Sequence, residues 1–331
     1  MSKQGIRRLR SLEVCAGAGG LSLGLERAGF EPLALLESKP DACRTLAANR
    51  PKWPVLEQDF TTFLPEDRPD LLPVGGQIDL LAAGLPRLHS TATVQRTDSG
   101  QERFLLRATV WLAQAAAPRA ILIENIPGLV DASEHTATRQ WVVESFTEVG
   151  YAVAWAVLDA HDFGVAQTRL QGFMVAMRPD ALARFAWPSK HTGRPPNVAD
   201  LLYPSMASRG WPGAERWASL AQKAAPTIVG GSDNRGGADL GPTGSKKAWA
   251  RMGVNGGSIG DDVPGPDDLI DLMPKLTVSQ VALLQGFPID WSLSGRKTSA
   301  YRQIGNASPP PVGEAVGRQI MQALEQPQAG M

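Results

Sequence analysis

SLEVCAGAGGLSLGLERAGF, residues Ser11 to Phe30, decides the fold. Leu12 to Cys15 is a short apolar run of β character. Ala16, Gly17, Ala18, Gly19 and Gly20 break it, and Leu21, Leu23, Leu25 and Ala28 resume with helix-like spacing. Strand, glycine turn and helix in that order open a nucleotide-binding α/β unit. Glycines let the backbone turn sharply and come close to a ligand, and the helix that follows offers free N–H groups. The plainer reading is a glycine-rich β–α turn that holds nothing. The spacing departs from GxGxxG, which argues against an ordinary dinucleotide fold.

Downstream, Pro32 to Leu36 predicts a second strand ending in Glu37, and Asp41 to Asn49 a helix. A carboxylate there, about 20 residues past the glycines, stands where a ribose hydroxyl pair is held. An ordinary surface Glu is the bland alternative. Trp53 to Leu56 predicts a third strand leading to Asp59 and Phe60. Asp59 can accept from an adenine amino group and Phe60 can stack, or Asp59 is simply a helix N-cap before Thr61 and Thr62. Ile78 to Ala83 reads as a buried parallel strand, followed by Gly84, Leu85, Pro86, Arg87, Leu88, His89 and Ser90. Thr91 to Gln101 reads as a loop, Phe104 to Ala116 as a helix and Ala120 to Ile123 as a fifth strand running into Glu124 and Asn125. A helix over Trp141–Val149 and strands over Tyr151–Leu158 and Phe173–Met177 complete a mostly parallel, doubly wound sheet.

The 331 residues are 43% hydrophobic, enough for one large domain and a smaller one. Lys and Arg total 33 and Asp and Glu total 33, so no global field draws the chain to nucleic acid or membrane, and any DNA contact must come from local patches. Two cysteines, Cys15 and Cys43, point to a reducing compartment without a disulfide framework. No apolar signal core follows the basic start, and no run approaches the roughly 20 apolar residues of a membrane span, so a cytoplasmic protein is expected. No metal site is assigned. From Ala186 to Lys275 the chain turns rich in Gly, Pro and Trp, which predicts a loop-rich second domain with short strands. It carries the cations Lys246, Lys247 and Arg251, whose bland reading is a solvated helix face. Domains are therefore expected over 1–180, 181–275 and 276–331, the last returning to the first.

Taken together, these motifs resemble the DNA cytosine-5 methyltransferases. EVCAGAGGLSLGLERAGF is similar to that family's S-adenosyl-L-methionine loop, Glu37 to its ribose carboxylate and Asp59-Phe60 to its adenine site. GLPRLHS stands where the family has its Pro-Cys loop, ENIPGL resembles the Glu-Asn motif, and FGVAQTRLQGF the Gln-x-Arg-x-Arg motif. LTVSQVALLQGFPIDW and YRQIGNASPPPVGEAVG resemble the last two motifs, and the order is the family's. The resemblance implies a Rossmann-like methyltransferase fold with a smaller target-recognition domain, and a last helix packing beside the first strand. It implies that Glu13, Ala16, Gly17, Gly19, Gly20, Leu21, Glu37, Asp59, Phe60, Gly84, Asn306 and Ala307 hold the cofactor. It also implies that position 87, Glu124, Asn125 and Arg169 serve catalysis, with Arg169 stabilising the base or orienting Glu124. Double-stranded DNA is the implied partner, with Lys246, Lys247, Arg251, Arg296, Lys297 and Arg302 as contacts. A second methyltransferase or restriction subunit is a further partner class.

The chain also departs from the family. Arg87 fills the nucleophile's place, and a guanidinium is always protonated and cannot add to a ring carbon. The loop after it is one residue short. Gln171 replaces the second Arg of Gln-x-Arg-x-Arg. Cys15 falls under the cofactor loop and Cys43 behind it, so neither replaces the missing thiol. The expectation is a family member impaired in methyl transfer, acting as a binding or partner subunit. The alternatives are a methyltransferase using another nucleophile, His89 or Ser90, which otherwise read as loop packing or a cap, or a nucleotide enzyme of another class such as a dehydrogenase.

Overall fold

Ser11, Leu12, Glu13 and Val14 are all buried, and a strand closed to water on both faces belongs inside a sheet. The structure, a computed structural model describing residues 8–69, 78–88, 100–231 and 237–325, places it there. The elements run β1 (Arg10–Val14), α1 (Gly20–Ala28), β2 (Glu31–Glu37), α2 (Pro40–Asn49), β3 (Val55–Glu57), β4 (Leu80–Gly84), α3 (Gln101–Ala116) and β5 (Ala120–Asn125). They continue as α4 (Pro127–Asp131), α5 (Thr136–Glu148), β6 (Ala152–Asp159), β7 (Leu170–Met177), α6 (Pro179–Leu182), α7 (Val198–Ala207) and α8 (Ala214–Leu220). The last are α9 (Thr243–Arg251), α10 (Val278–Leu284), α11 (Lys297–Asn306) and α12 (Pro310–Glu325). The third strand starts at Val55 rather than Trp53, since Pro54 lacks an N–H for the ladder. Of the expected Thr91–Gln101 loop, positions through 99 lie outside the described residues, and Gln101 already opens α3.

The described strands form one sheet in the order β3-β2-β1-β4-β5-β7-β6. From β3 to β5 neighbouring strands are parallel, and β7 joins β5 antiparallel, with Glu124 opposite Phe173. The expected doubly wound sheet is therefore present. The chain leaves β1 for β2 and β3 on one side, then crosses back to β4 on the other. That reversal makes a switch point between β1 and β4, and open α/β sheets bind ligands outside the carboxyl ends of strands at such a point. Helix α12 packs on α1: a Cβ on Gly313 would lie 3.2 Å from Leu21, and one on Gly317 2.9 Å from Ala28. The returning helix is thus present and packs on α1, the helix that follows β1.

The chain divides into two units. The described parts of Met1–Leu158, Gln171–Pro188 and Gly313–Met331 form the first, and those of Asp159–Leu170 and Ser189–Val312 the second. This redraws the expected boundaries at 181 and 276. Residues 276–312 belong with the second unit because α10 packs against α7 and α11, and the Tyr301 hydroxyl donates to the carbonyls of Val229 (3.2 Å) and Asp239. Among the described residues that stretch forms α7, α8 and α9 and not the short strands expected; an isolated bridge joins Gln167 and Ala225. The Asn197 side chain caps α7 in a reciprocal pair with Asp200, a local signal that Gly and Pro content obscures.

Candidate cofactor and catalytic site

In the first unit the site grows from the loop after β1. Cys15, Gly17 and Gly19 take left-handed φ values of 53°, 56° and 84°, which turns the chain within five residues from strand to helix. A Cβ at Gly17 would meet nothing within 4 Å, so backbone geometry and not crowding requires glycine, and open space lies over its Cα. The Gly17 N–H donates to Glu37 Oε2 and the Lys39 N–H to Glu37 Oε1, both at 2.8 Å. Each carboxylate oxygen keeps a second lone pair, which suits the two donors of a ribose diol. Ala16 and Gly19 close the turn, and Gly20 and Leu21 begin α1. Gly84 ends β4 beside the loop, where an added Cβ would lie 3.5 Å from the Cys15 carbonyl.

The other residues expected at the cofactor have structural partners of their own. Glu13 is buried, accepts from the Ser11 hydroxyl at 2.8 Å, and has its pKa raised chiefly by desolvation, against the pull of the Ser22 and Ser11 hydroxyls. Its partner Ser11 lies on the same strand, β1. Asp59 is the N-cap its plainer reading gave: Oδ1 accepts from the Thr61 N–H and hydroxyl, both at 2.9 Å. Phe60 packs into the apolar core. Asn306 and Ala307 lie in the second unit at the end of α11, where Asn306 Nδ2 donates to the Gly231 carbonyl at 3.1 Å.

The loop after β4 carries Pro86 and a half-buried Arg87, and among the described residues no carboxylate pairs with that guanidinium. Buried Asn125 clamps the loop. Its Oδ1 accepts from the N–H groups of Leu88 (3.1 Å) and Ile126 (2.9 Å), and its Nδ2 donates to the Pro86 carbonyl at 3.2 Å. Asn125 thus holds the Pro86–Leu88 loop against the end of β5. Beside it, buried Glu124 accepts from Gln171 Nε2 at 2.8 Å. Arg169, expected to orient Glu124, belongs to the second unit and donates there to the carbonyls of Ile228 (2.7 Å) and Gly305 (3.2 Å). Gln171, assigned no role from sequence, faces Glu124 because β7 runs antiparallel to β5 and puts position 171 near 124. His89 and Ser90 lie outside the described residues.

Both thiols are held protonated. Burial, then Glu37 and Asp59, drive the Cys15 pKa upward, and burial with the same Glu37 pushes Cys43 up to about 12. The Cys43 thiol donates to the Glu37 carbonyl at 3.3 Å. In the second unit the proposed DNA-contacting cations divide. Lys246 pairs with Asp239 at 3.0 Å and Lys297 with Asp261 at 2.8 Å, while Lys247, Arg251 and Arg296 are exposed and unpaired among the described residues. Arg302 is half-buried on α11. Sequence reading also missed a buried polar hub in this unit. Gln167 donates to Gln285 at 2.6 Å and accepts from the Ile228 N–H at 2.7 Å, and Gln285 donates to the Ile304 carbonyl at 2.8 Å. Both glutamines sit inside motifs read from sequence, but a pairing across 118 positions cannot be seen in either stretch alone.

A doubly wound sheet with a glycine turn and a buried carboxylate at its switch point is the frame of a nucleoside-cofactor α/β domain. The profile of the C-5 cytosine-specific DNA methylases matches residues 9–322. The chain is 41% identical to the type II methyltransferase M.NaeI of Lentzea aerocolonigenes, over 96% of this chain and 76% of that one. It is 40% identical to M.NgoMIV of Neisseria gonorrhoeae, over 95% and 98%. In fold it resembles the S. pombe Dnmt2 methyltransferase, with a TM-score of 0.62 at 18% identity over 96% of this chain and 100% of that one. The chain belongs to the C-5 cytosine-specific DNA methylase family, whose cofactor is S-adenosyl-L-methionine. Among the described residues no helix is long and apolar enough to cross a membrane.

Proposed function

We propose that this chain binds S-adenosyl-L-methionine and duplex DNA and is impaired in, or incapable of, methyl transfer to cytosine C5. The cofactor, when bound, supplies a methyl group on a sulfonium. Glu37 would hold its ribose, the open backbone at Gly17 its amino-acid end, and Asp59 Oδ2 its adenine amino group. Lys247, Arg251 and Arg296 of the second unit would meet phosphates, and that unit would read the target.

Carbon 5 of cytosine is a weak nucleophile until a thiolate adds to carbon 6 of the flipped-out base. Glu124 would serve that addition by holding a proton at ring N3. The observation carrying the reading is Arg87, which stands on a loop that Asn125 fixes in register. Its guanidinium has no electron pair to add, and the two thiols lie elsewhere, protonated. Gln171 gives Glu124 a neutral donor where the family pattern puts a cation. The chain is then a DNA-binding partner for a competent methyltransferase or restriction subunit. The test is incubation with tritiated S-adenosyl-L-methionine and mixed-sequence duplex DNA, followed by digestion to nucleosides. No 5-methylcytosine is expected; robust product that disappears in Glu124→Gln overturns the reading.

A further inference from the structure

Outer helix faces of soluble domains are normally polar. On α3 the exposed stripe is instead Arg103, Arg107 and Trp111, spaced four apart, with Phe104 beside it. Trp111 is 55% and Phe104 48% exposed. Between α3 and α5 lies a depression of about 210 Å³ lined by Arg103, Leu106, Arg107, Ala137, Thr138 and Trp141. The Arg107 guanidinium sits 5.5 Å from the Trp141 ring centre. Aromatic and Arg side chains with few carboxylates are the composition of interface cores.

The opposite chemistry is displayed on the second unit. Asp267, Asp268 and Asp271 alternate with Leu269, Ile270, Leu272 and Met273, and Leu269 is 72% and Ile270 57% exposed. The backbone here is anchored, since Trp211 Nε1 donates to the Leu269 carbonyl at 3.0 Å. These side chains are thus presented by fixed backbone, and three carboxylates bar the segment from DNA phosphates. Exposed apolar surface of this kind marks a contact site.

We propose that the α3–α5 groove of one copy receives the acidic, apolar segment 267–273 of a second copy, so that the protein self-associates in solution. Guanidinium groups meet carboxylates, and Trp111 and Phe104 cover Leu269 and Ile270. The contact joins two different patches, so it closes as a reciprocal pair or continues as a chain. It does not rest on the methyl-transfer reading.

Sedimentation of the full chain at low salt is expected to show multiples of 35.4 kDa. The variants Arg103→Glu with Arg107→Glu, and Asp267→Lys with Asp271→Lys, should each weaken association at least tenfold with unchanged thermal melts. Mixing the two variants should restore it, because each supplies the charge the other now needs. A wild type monomeric at about 100 µM overturns the proposal, as does association that neither variant weakens or that mixing fails to restore. Loss of DNA binding in the Arg variant at constant mass would make the groove a nucleic-acid surface and overturn it equally.

Discussion

Glu37→Gln places the cofactor site under the most direct strain. In the wild type each carboxylate oxygen accepts one backbone N–H at 2.8 Å, from Gly17 and from Lys39. Each has one lone pair left for a ribose hydroxyl. The amide keeps one oxygen and turns the other into an NH₂ that opposes a backbone N–H and offers the ligand no acceptor. Losing one hydrogen bond to a charged group costs about 1.5–3 kcal/mol, so the cofactor should bind roughly ten- to hundredfold more weakly. The orphaned N–H costs the apo protein about 1–3 kcal/mol as well, so Tm should fall by several degrees. Titration calorimetry with S-adenosyl-L-methionine measures the first effect and a thermal melt the second; NAD, the control ligand, should leave the melt unmoved. Binding by the variant within twofold of wild type, or no binding by the wild type at millimolar ligand, would refute the reasoning.

Salt dependence of DNA binding should reflect the unpaired cations. With Lys246 and Lys297 already paired, Lys247, Arg251 and Arg296 predict a log–log slope of roughly −3. A slope of about −4.5 would mean that both ion pairs open on DNA. Glu13, whose pKa burial raises, favours folding most below its unfolded value near 4.5, and that favour is lost as pH rises through the folded pKa. Glu13→Gln, which keeps the acceptor for Ser11, should therefore match wild type in acid and become the more stable as pH rises, by about 1.4 kcal/mol for each pH step between the unfolded and folded pKa values; parallel stability curves would count against this. A Cβ at Gly305 would come within 2.5 Å of the Gly230 backbone, which cannot rotate away. Gly305→Ala should thus destabilise by about 1–3 kcal/mol in denaturant melts, and a neutral result would show that the two segments separate easily.

The first unit was legible because its code is local. Buried parallel strands read as apolar runs, and the left-handed turn at Gly17 and Gly19 leaves glycine in the sequence. Glu37 was singled out by its distance from that turn, and its carboxylate does accept from the Gly17 N–H. Position 171 was visible as a substitution, but its partner was not, since only the antiparallel entry of β7 brings Gln171 to Glu124. The clamp made by Asn125 was not visible, because an amide that holds a loop and one that faces a substrate look alike in a motif. In the second unit, composition concealed helices set by caps and by packing across more than a hundred positions, as between Gln167 and Gln285.

The seam between α1 and α12 bears on how the protein is made. Arg318 reaches the Arg27 carbonyl across 291 positions of sequence, and Gly317 admits Leu25 and Ala28 to close range. At ordinary rates of synthesis, α1 waits roughly 15–60 s on the ribosome before its cover emerges. Throughout that time a nascent chain shows an uncovered leucine-rich stripe, a natural holding point for chaperones. A premature stop within α12 would leave the stripe bare for good. Such a product would be expected to go to proteolysis with an otherwise intact sheet, so cellular abundance, more than chemistry, would report damage to that helix.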